Sequence, residues 1–199
     1  MRVIEGKRVR DIPAAEIATW ANKYQEITVD LGAGDGRFVR HQARQNPESG
    51  AIAVDLCETT LRAGARAAAD NAMFVVADAL TLPREWGEIA TRVSINFPWG
   101  SLLRGLIRGD ERFLDGLIAV GRRRAAFDFM VNAGALAETG LSLDAAGNRI
   151  MAMLRNHGVS VGPMAVIGAA DLRRQPTSWA KRLAFGRDPR AIWITAKLI

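Results

Sequence analysis

The 199-residue chain is poor in several features, and each shortage excludes something. Its one cysteine, Cys57, cannot form an internal disulfide, which suits a reducing cytoplasm. Cys57 itself reads as a small buried residue rather than a nucleophile. His41 and His157 have no partner at metal-ligand spacing, so no metal site is expected. No apolar run approaches the roughly 18 residues that a membrane span requires. The opening Met1-Arg2-Val3-Ile4-Glu5-Gly6-Lys7-Arg8 has no apolar stretch after its charges, so a signal peptide is not expected. There is no internal repeat and no low-complexity segment. Lysine is scarce, 4 against 23 arginines, a bias that favours forked guanidinium contacts to phosphate.

What is present fits one soluble domain over 1–199, with 1–12 as a hairpin extension and 13–199 as the core. The length allows a three-layer core, and 49% hydrophobic with 24% charged residues is ordinary for a globular chain. The net charge of +6 is unevenly spread. Residues 1–10 carry +3 and residues 171–199 carry +5, which leaves −2 for the long middle. Basic ends around a nearly neutral body suggest a surface for a polyanion, although solvated surface charge would give the same count.

The organising stretch is Ile27-Thr28-Val29-Asp30-Leu31-Gly32-Ala33-Gly34-Asp35-Gly36. A short apolar run with an acidic residue near its end is followed by glycines at alternate positions and an amphipathic segment, which predicts strand, tight turn and helix. A P-loop needs a Gly-Lys-Ser/Thr ending that is missing here, and a dinucleotide fingerprint needs its third glycine one residue later. The remaining ligand reading is the turn that class I methyltransferases use for S-adenosylmethionine (SAM), with Asp30 placed for the ammonium of its amino acid end. The next two apolar runs also end in acids. Ala51 to Asp55, followed by Leu56, places Asp55 for two ribose hydroxyls. Phe74 to Asp78 places Asp78, beside Ala77, for an adenine amino group.

The pattern predicts an α/β fold: a Rossmann-like, seven-stranded sheet ending in an antiparallel pair, with helices on both faces and an N-terminal β-hairpin. The hairpin spans 2–10 and a first helix 13–23. Strands are expected near 27–31, 50–55, 73–77, 91–96, 124–131, 159–167 and 192–199. Helices are expected near 37–46, 58–70, 100–108, 110–120 and 144–156. Segments 132–143 and 168–176 read as loops, the former short and rich in Ala and Gly.

The fourth strand runs into Asn96-Phe97-Pro98-Trp99-Gly100-Ser101, at the strand end where an open α/β sheet binds ligands. Trp99 follows proline and precedes Gly-Ser, so it sits on a loop, where its indole offers a face for a base. Trp179 follows Thr177 and Ser178, either of which can cap a helix, and has Lys181, Arg182, Arg187 and Arg190 nearby. Trp20, Trp86 and Trp193 read as structural. Taken alone, these residues leave several readings open: a methyltransferase acting on some RNA base, one acting on a small molecule, or a non-catalytic rRNA-binding factor.

Phe97-Pro98-Trp99-Gly100-Ser101-Leu102-Leu103-Arg104, together with Thr177-Ser178-Trp179-Ala180-Lys181-Arg182-Leu183 and Gly6-Lys7-Arg8-Val9, closely resembles the Kam/Npm aminoglycoside-resistance methyltransferases. The resemblance runs nearly end to end. It implies SAM-dependent methylation of N1 of adenosine 1408 in helix 44 of 16S rRNA, on the 30S ribosomal subunit. It further implies that Trp99 and Trp179 hold the flipped adenine. Around SAM it places Asp30, Gly32, Gly34, Asp55, Leu56, Ala77, Asp78, Asn96, Phe97, Pro98 and Ser101, with Thr177 and Ser178 completing the pocket. Lys7, Arg8, Lys181, Arg182, Arg187 and Arg190 are then the expected rRNA contacts. The resemblance implies a cytoplasmic protein, taken here as a monomer with no membrane partner. The short 132–143 segment departs from the longer, more polar insertion expected there, which predicts a weaker grip on the ribosome.

Overall fold

The computed structural model describes residues 1–6 and 8–199, leaving Lys7 and the side chain of Glu138 outside the described residues. The elements run β1 (Arg2–Glu5), β2 (Arg8–Asp11), α1 (Ala14–Ala21), β3 (Ile27–Leu31), α2 (Arg37–Gln45), β4 (Gly50–Asp55), α3 (Glu58–Ala65), β5 (Ala72–Val76), β6 (Ala90–Asn96), α4 (Gly100–Arg108) and α5 (Glu111–Ala119). Then come β7 (Gly121–Asn132), α6 (Ala133–Leu136), α7 (Leu143–Asn156), β8 (Val159–Ile167), α8 (Ala169–Arg174), α9 (Ser178–Ala184) and β9 (Ala191–Leu198). Among the described residues, no helix is long and apolar enough to cross a membrane.

Sheet order is β2-β1-β5-β4-β3-β6-β7-β9-β8. The five central strands are parallel, and β9 and β8 form the expected antiparallel pair. The sheet has nine strands rather than seven, because β1 pairs antiparallel with the edge of β5 and carries β2 with it. Backbone groups left open along β5 are thereby satisfied, so the hairpin caps an edge instead of standing apart.

Strand alternation divides the core. Along β4, Ile52 and Val54 face one side while Ala51 and Ala53 face the other. The alanine side receives Phe38, Val39 and Ala43 of α2 and Leu61 and Ala65 of α3, with Phe74 between them. Small side chains on the strand let these helices approach closely. The branched side packs against α1, α4, α5 and α7 through residues such as Ile17, Leu106, Leu114 and Ile150. Helices therefore cover both faces, as expected. Trp86 is fully buried, while Trp20 is half-buried with its ring centroid 5.0 Å from that of Tyr24.

Four local expectations change. Segment 168–176 contains α8, capped at its start by Asp171, whose carboxylate accepts from the Gly168 N–H at 3.3 Å. Segment 132–143 is a helical turn, α6, followed by a 3-10 turn over Ala137–Thr139. Helix α3 stops at Ala65 instead of reaching residue 70. Cys57 is exposed, not buried, because it caps α3 at the rim of the sheet.

Candidate cofactor and target-base site

Strand order reverses between β3 and β6, where the chain returns from β5 to the other side of β3. A crevice opens at the carboxyl ends of strands flanking such a point. Register aligns Asp30 with Ser94 across this junction. The Ser94 hydroxyl and the Asn96 amide both donate to one Asp30 oxygen, each at 2.8 Å. Burial pushes the Asp30 carboxyl up to about 7, against the lowering effect of the Ser94 and Asn96 hydrogen bonds. Asp30 is 1% exposed, so it lies beneath the crevice floor instead of lining it. The Asp30 oxygen that accepts from both donors orients the Asn96 amide. The Asn96 Oδ1 is left buried without a partner among the described residues. An orphaned acceptor of this kind is costly unless a donor arrives, and the ammonium of SAM is a fitting donor.

The Gly32–Gly36 turn forms the next wall. Gly34 has φ +58° and nothing within 4 Å of where a Cβ would stand, which leaves an open cradle. At Gly36, φ is +64° and a Cβ would lie 2.3 Å from the Phe74 ring, so this glycine serves packing. Asp55, at the tip of β4, accepts the Gly34 N–H through one oxygen and the Cys57 N–H through the other, each at 2.8 Å. Its carboxylate is held rigidly at the rim, with lone pairs to spare for hydroxyl donors. Exposed Leu56 follows it, and the Ala77 N–H reaches back to the Asp55 carbonyl at 3.1 Å. Asp78 accepts the Leu80 N–H at 2.9 Å and stays half-buried. The residues present fit SAM: an acceptor for its amino acid end, a carboxylate for its ribose, and an apolar wall beside a second acid for its base.

Beyond β6 the backbone is strained. Phe97 adopts φ +55°, a conformation that bulky residues rarely hold. Its N–H donates to the Met130 carbonyl at 2.7 Å, and its ring is buried with Met130, Ile167, Leu172 and Ala180. Ala180 belongs to α9, so Phe97 links the β6 loop to the helix that carries Trp179. Pro98 is buried, and Trp99 and Ser101 project outward. At the start of α9, Thr177 is the cap, its hydroxyl accepting the Ala180 N–H at 2.9 Å. Ser178 instead donates to Asp35 of the glycine turn at 2.5 Å. That contact spans 143 residues of sequence and ties α9 to the SAM turn.

Trp99 and Trp179 come together as expected, with ring centroids 5.5 Å apart and planes 32° from parallel. They are 39% and 41% exposed. A base sandwiched between them needs roughly 7 Å, two carbon contacts of ~3.5 Å, so the pair stands closed and must part to admit one. Arg182 lies over the Trp179 ring at 5.6 Å, a cation–π contact. Arg187 is exposed, while Arg190 is paired to Asp188 at 2.7 and 2.8 Å. Lys181 is exposed on the next turn of α9. The basic ends do not merge through the sheet: β2, with exposed Arg8, forms one edge, and β9 and β8 lie at the other. Arg2 pairs with Glu58, and Arg10 with Glu5 and Glu16, so local acids neutralise most of the described N-terminal charge.

The family described as NpmA, 16S rRNA (adenine(1408)-N(1))-methyltransferase, matches residues 2–198. The chain belongs to this family. Among NpmA-family relatives, a 16S rRNA (adenine(1408)-N(1))-methyltransferase of Streptoalloteichus hindustanus is 31% identical over 204 residues, covering 94% of each chain. The 16S rRNA methyltransferase KamB superposes with a TM-score of 0.86 at 28% identity, covering 100% of this chain and 99% of that one. The enzyme from Catenulisporales acidiphilia, crystallised as a mutant with cosubstrate SAM, has a TM-score of 0.85 at 24% identity, covering 100% and 97%. The NpmA-family fold is the class I SAM-dependent methyltransferase fold, and SAM is the cofactor.

Sequence reasoning passed over two features of this NpmA-family site. Asp35 lies in the glycine turn with no role of its own legible from sequence, yet it anchors Ser178. Helix α2 belongs to the nearly neutral middle by segment charge, yet Arg37, Arg40 and Arg44 recur on it at helical spacing with no acid in its first turn. Charge counted by helix face would have found that stripe.

Proposed function

We propose that this protein transfers a methyl group from SAM to N1 of adenosine 1408 in helix 44 of 16S rRNA, on the 30S ribosomal subunit. It acts as a monomer and confers aminoglycoside resistance. The observation that carries this reading is the indole pair: two exposed tryptophans meeting beside a SAM crevice offer aromatic faces to a flat base turned out of its stack.

SAM, when bound, supplies a methyl group already activated by its sulfonium. N1 of adenine keeps a lone pair near neutral pH, so the chain need not supply a general base. Its contribution is positioning, the term in which an aligned, unimolecular encounter lowers the barrier. Asn96 and Asp55 hold the cofactor's polar ends, Gly34 lets it approach, Gly32 turns the chain at φ +74° against Leu102, and Leu56, Ala77, Asp78, Pro98 and Ser101 line its surroundings. Phe97 and Thr177 set the Trp99 loop and the Trp179 helix against one another, and Ser178 couples that helix to the turn.

The test is transfer of labelled methyl from SAM to intact 30S subunits, beside free 16S rRNA and bulk tRNA, with the modified base mapped by its reverse-transcription stop. Label on 30S alone, with a stop at adenosine 1408, is the expected result. Label on tRNA or free RNA would discard the target, and SAM binding without any transfer would leave a binding role.

A further inference from the structure

A groove of about 660 Å³ runs between α2 and the α8–α9 segment, apart from the SAM crevice and the indole pair. Its cationic lining is Arg37, Arg40 and Arg44 from α2 with Arg174 and Lys181 opposite, and His41 beside them. One acid, Asp35, also lines it, and its Oδ2 is engaged by the Ser178 hydroxyl at 2.5 Å. Arg37, Arg40, Arg174 and Lys181 form no ion pair among the described residues. Arg40 is partly buried, and its Nε is enclosed with no partner among the described residues. Arg44 makes only a 3.3 Å contact to the Ala67 carbonyl.

Two further observations point to an anionic occupant. Arg37 and Arg40 occupy the first turn of α2, where cations oppose the helix dipole; that turn holds no acid, and Asp35 just before it accepts the Arg37 N–H at 3.2 Å. Arg2, Arg10 and Arg190 each find a carboxylate within reach. The groove keeps five permanent positive charges together instead. Arg37 and Arg44 are seven residues apart, roughly 10 Å along the helix axis, which suits a row of charges better than a single ion. Guanidinium forks match phosphodiester oxygens. The groove adjoins the helix that carries one indole, because Lys181 is two residues from Trp179 on α9 and Asp35 holds Ser178.

We infer that this groove binds phosphates of the substrate rRNA strand beside the target nucleotide. The inference rests on the reading of the site as an rRNA methyltransferase. The strand would enter along α2 and present its flipped base to Trp99 and Trp179 from the side of the SAM turn.

The test uses Arg37→Glu, Arg174→Glu and the double variant, since both side chains are exposed and form no ion pair among the described residues. Methyl transfer to 30S and equilibrium 30S binding are measured from about 50 to 300 mM salt, with SAM affinity and thermal midpoint as controls on folding. The expected result is unchanged SAM affinity and kcat, a KM for 30S raised about tenfold or more in the double variant, and a log Kd against log salt slope smaller by roughly 1–2. An active wild type whose variants keep its KM and salt slope would overturn the groove alone. Equal weakening towards bulk tRNA would overturn it as a substrate contact and leave a general polyanion surface. A wild type that methylates no 30S would overturn the function on which it rests, and the groove with it.

Discussion

Removing one indole is the most informative perturbation, because the structure supplies opposing terms. In the closed pair the rings interact at 5.5 Å, a contact worth about 0.5–1.5 kcal/mol that a base must break to enter. Stacking on each indole then returns ~1–3 kcal/mol. Trp179→Ala loses one stacking face and the support for the Arg182 guanidinium, but no longer has a pair to open. The net binding loss is about 1–2 kcal/mol, roughly 5- to 30-fold at 1.4 kcal/mol per tenfold. A base held on one face also shifts, and misplacement by about 1 Å can cost a further 10²-fold in transfer. Trp99→Ala should behave alike, and the double variant should lose less than the product of the single losses, because either deletion already opens the sandwich. The assay is kcat/KM for methyl transfer to 30S beside SAM affinity by calorimetry. Loss of SAM binding parallel to loss of transfer in either single variant would refute the stacking role.

Three other outcomes follow from the site. Asp30 binds its proton more tightly folded than unfolded, so its contribution to stability is full below about pH 4, declines as pH rises, and is gone above about 7. Asp30→Asn should flatten that decline in thermal midpoint between pH 5 and 8, and an unaltered slope would contradict the raised carboxyl. Gly34→Ala should fold yet lose SAM affinity by tenfold or more, whereas Gly36→Ala should lose stability through the Phe74 contact; calorimetry and thermal melts separate the two, and normal SAM binding by Gly34→Ala would remove the cradle. Ser178→Ala should cost about 1 kcal/mol and uncouple α9 from the turn, read as hydrogen exchange over 178–184 that SAM no longer slows. Slowing equal to that of wild type would leave the Ser178–Asp35 contact without a coupling role.

The cofactor half of the site was legible because its determinants are local. A glycine turn after one strand, and acids at the ends of the next two, mark ligand-facing positions by period and spacing alone, and the fold places every such strand end on one rim. The two tryptophan segments were legible as exposed for a related reason: Pro-Trp-Gly and a capped, basic helix start are loop and helix signals in themselves. Helix α8 was missed because its six residues carry too little periodicity to stand out from a connection. The exposure of Cys57 was missed because small residues suit core and rim equally well.

Sequence by itself determined the α/β alternation, the glycine turn after the first core strand, the acids at the ends of the next two strands, and two tryptophans outside the core. Only the tertiary structure decided how these act on one another. It buried Asp30 under Asn96, leaving Asn96 Oδ1 rather than the carboxylate as the polar atom in need of a partner. It set the indoles in contact with each other, and it joined Ser178 to Asp35 across 143 residues. It also gathered a groove of cations from α2, α8 and α9. The physical reason is range. Turn and strand preferences are written in a few neighbouring residues, whereas burial, charge pairing and the closing of one ring on another depend on chain segments that meet only when the sheet has formed.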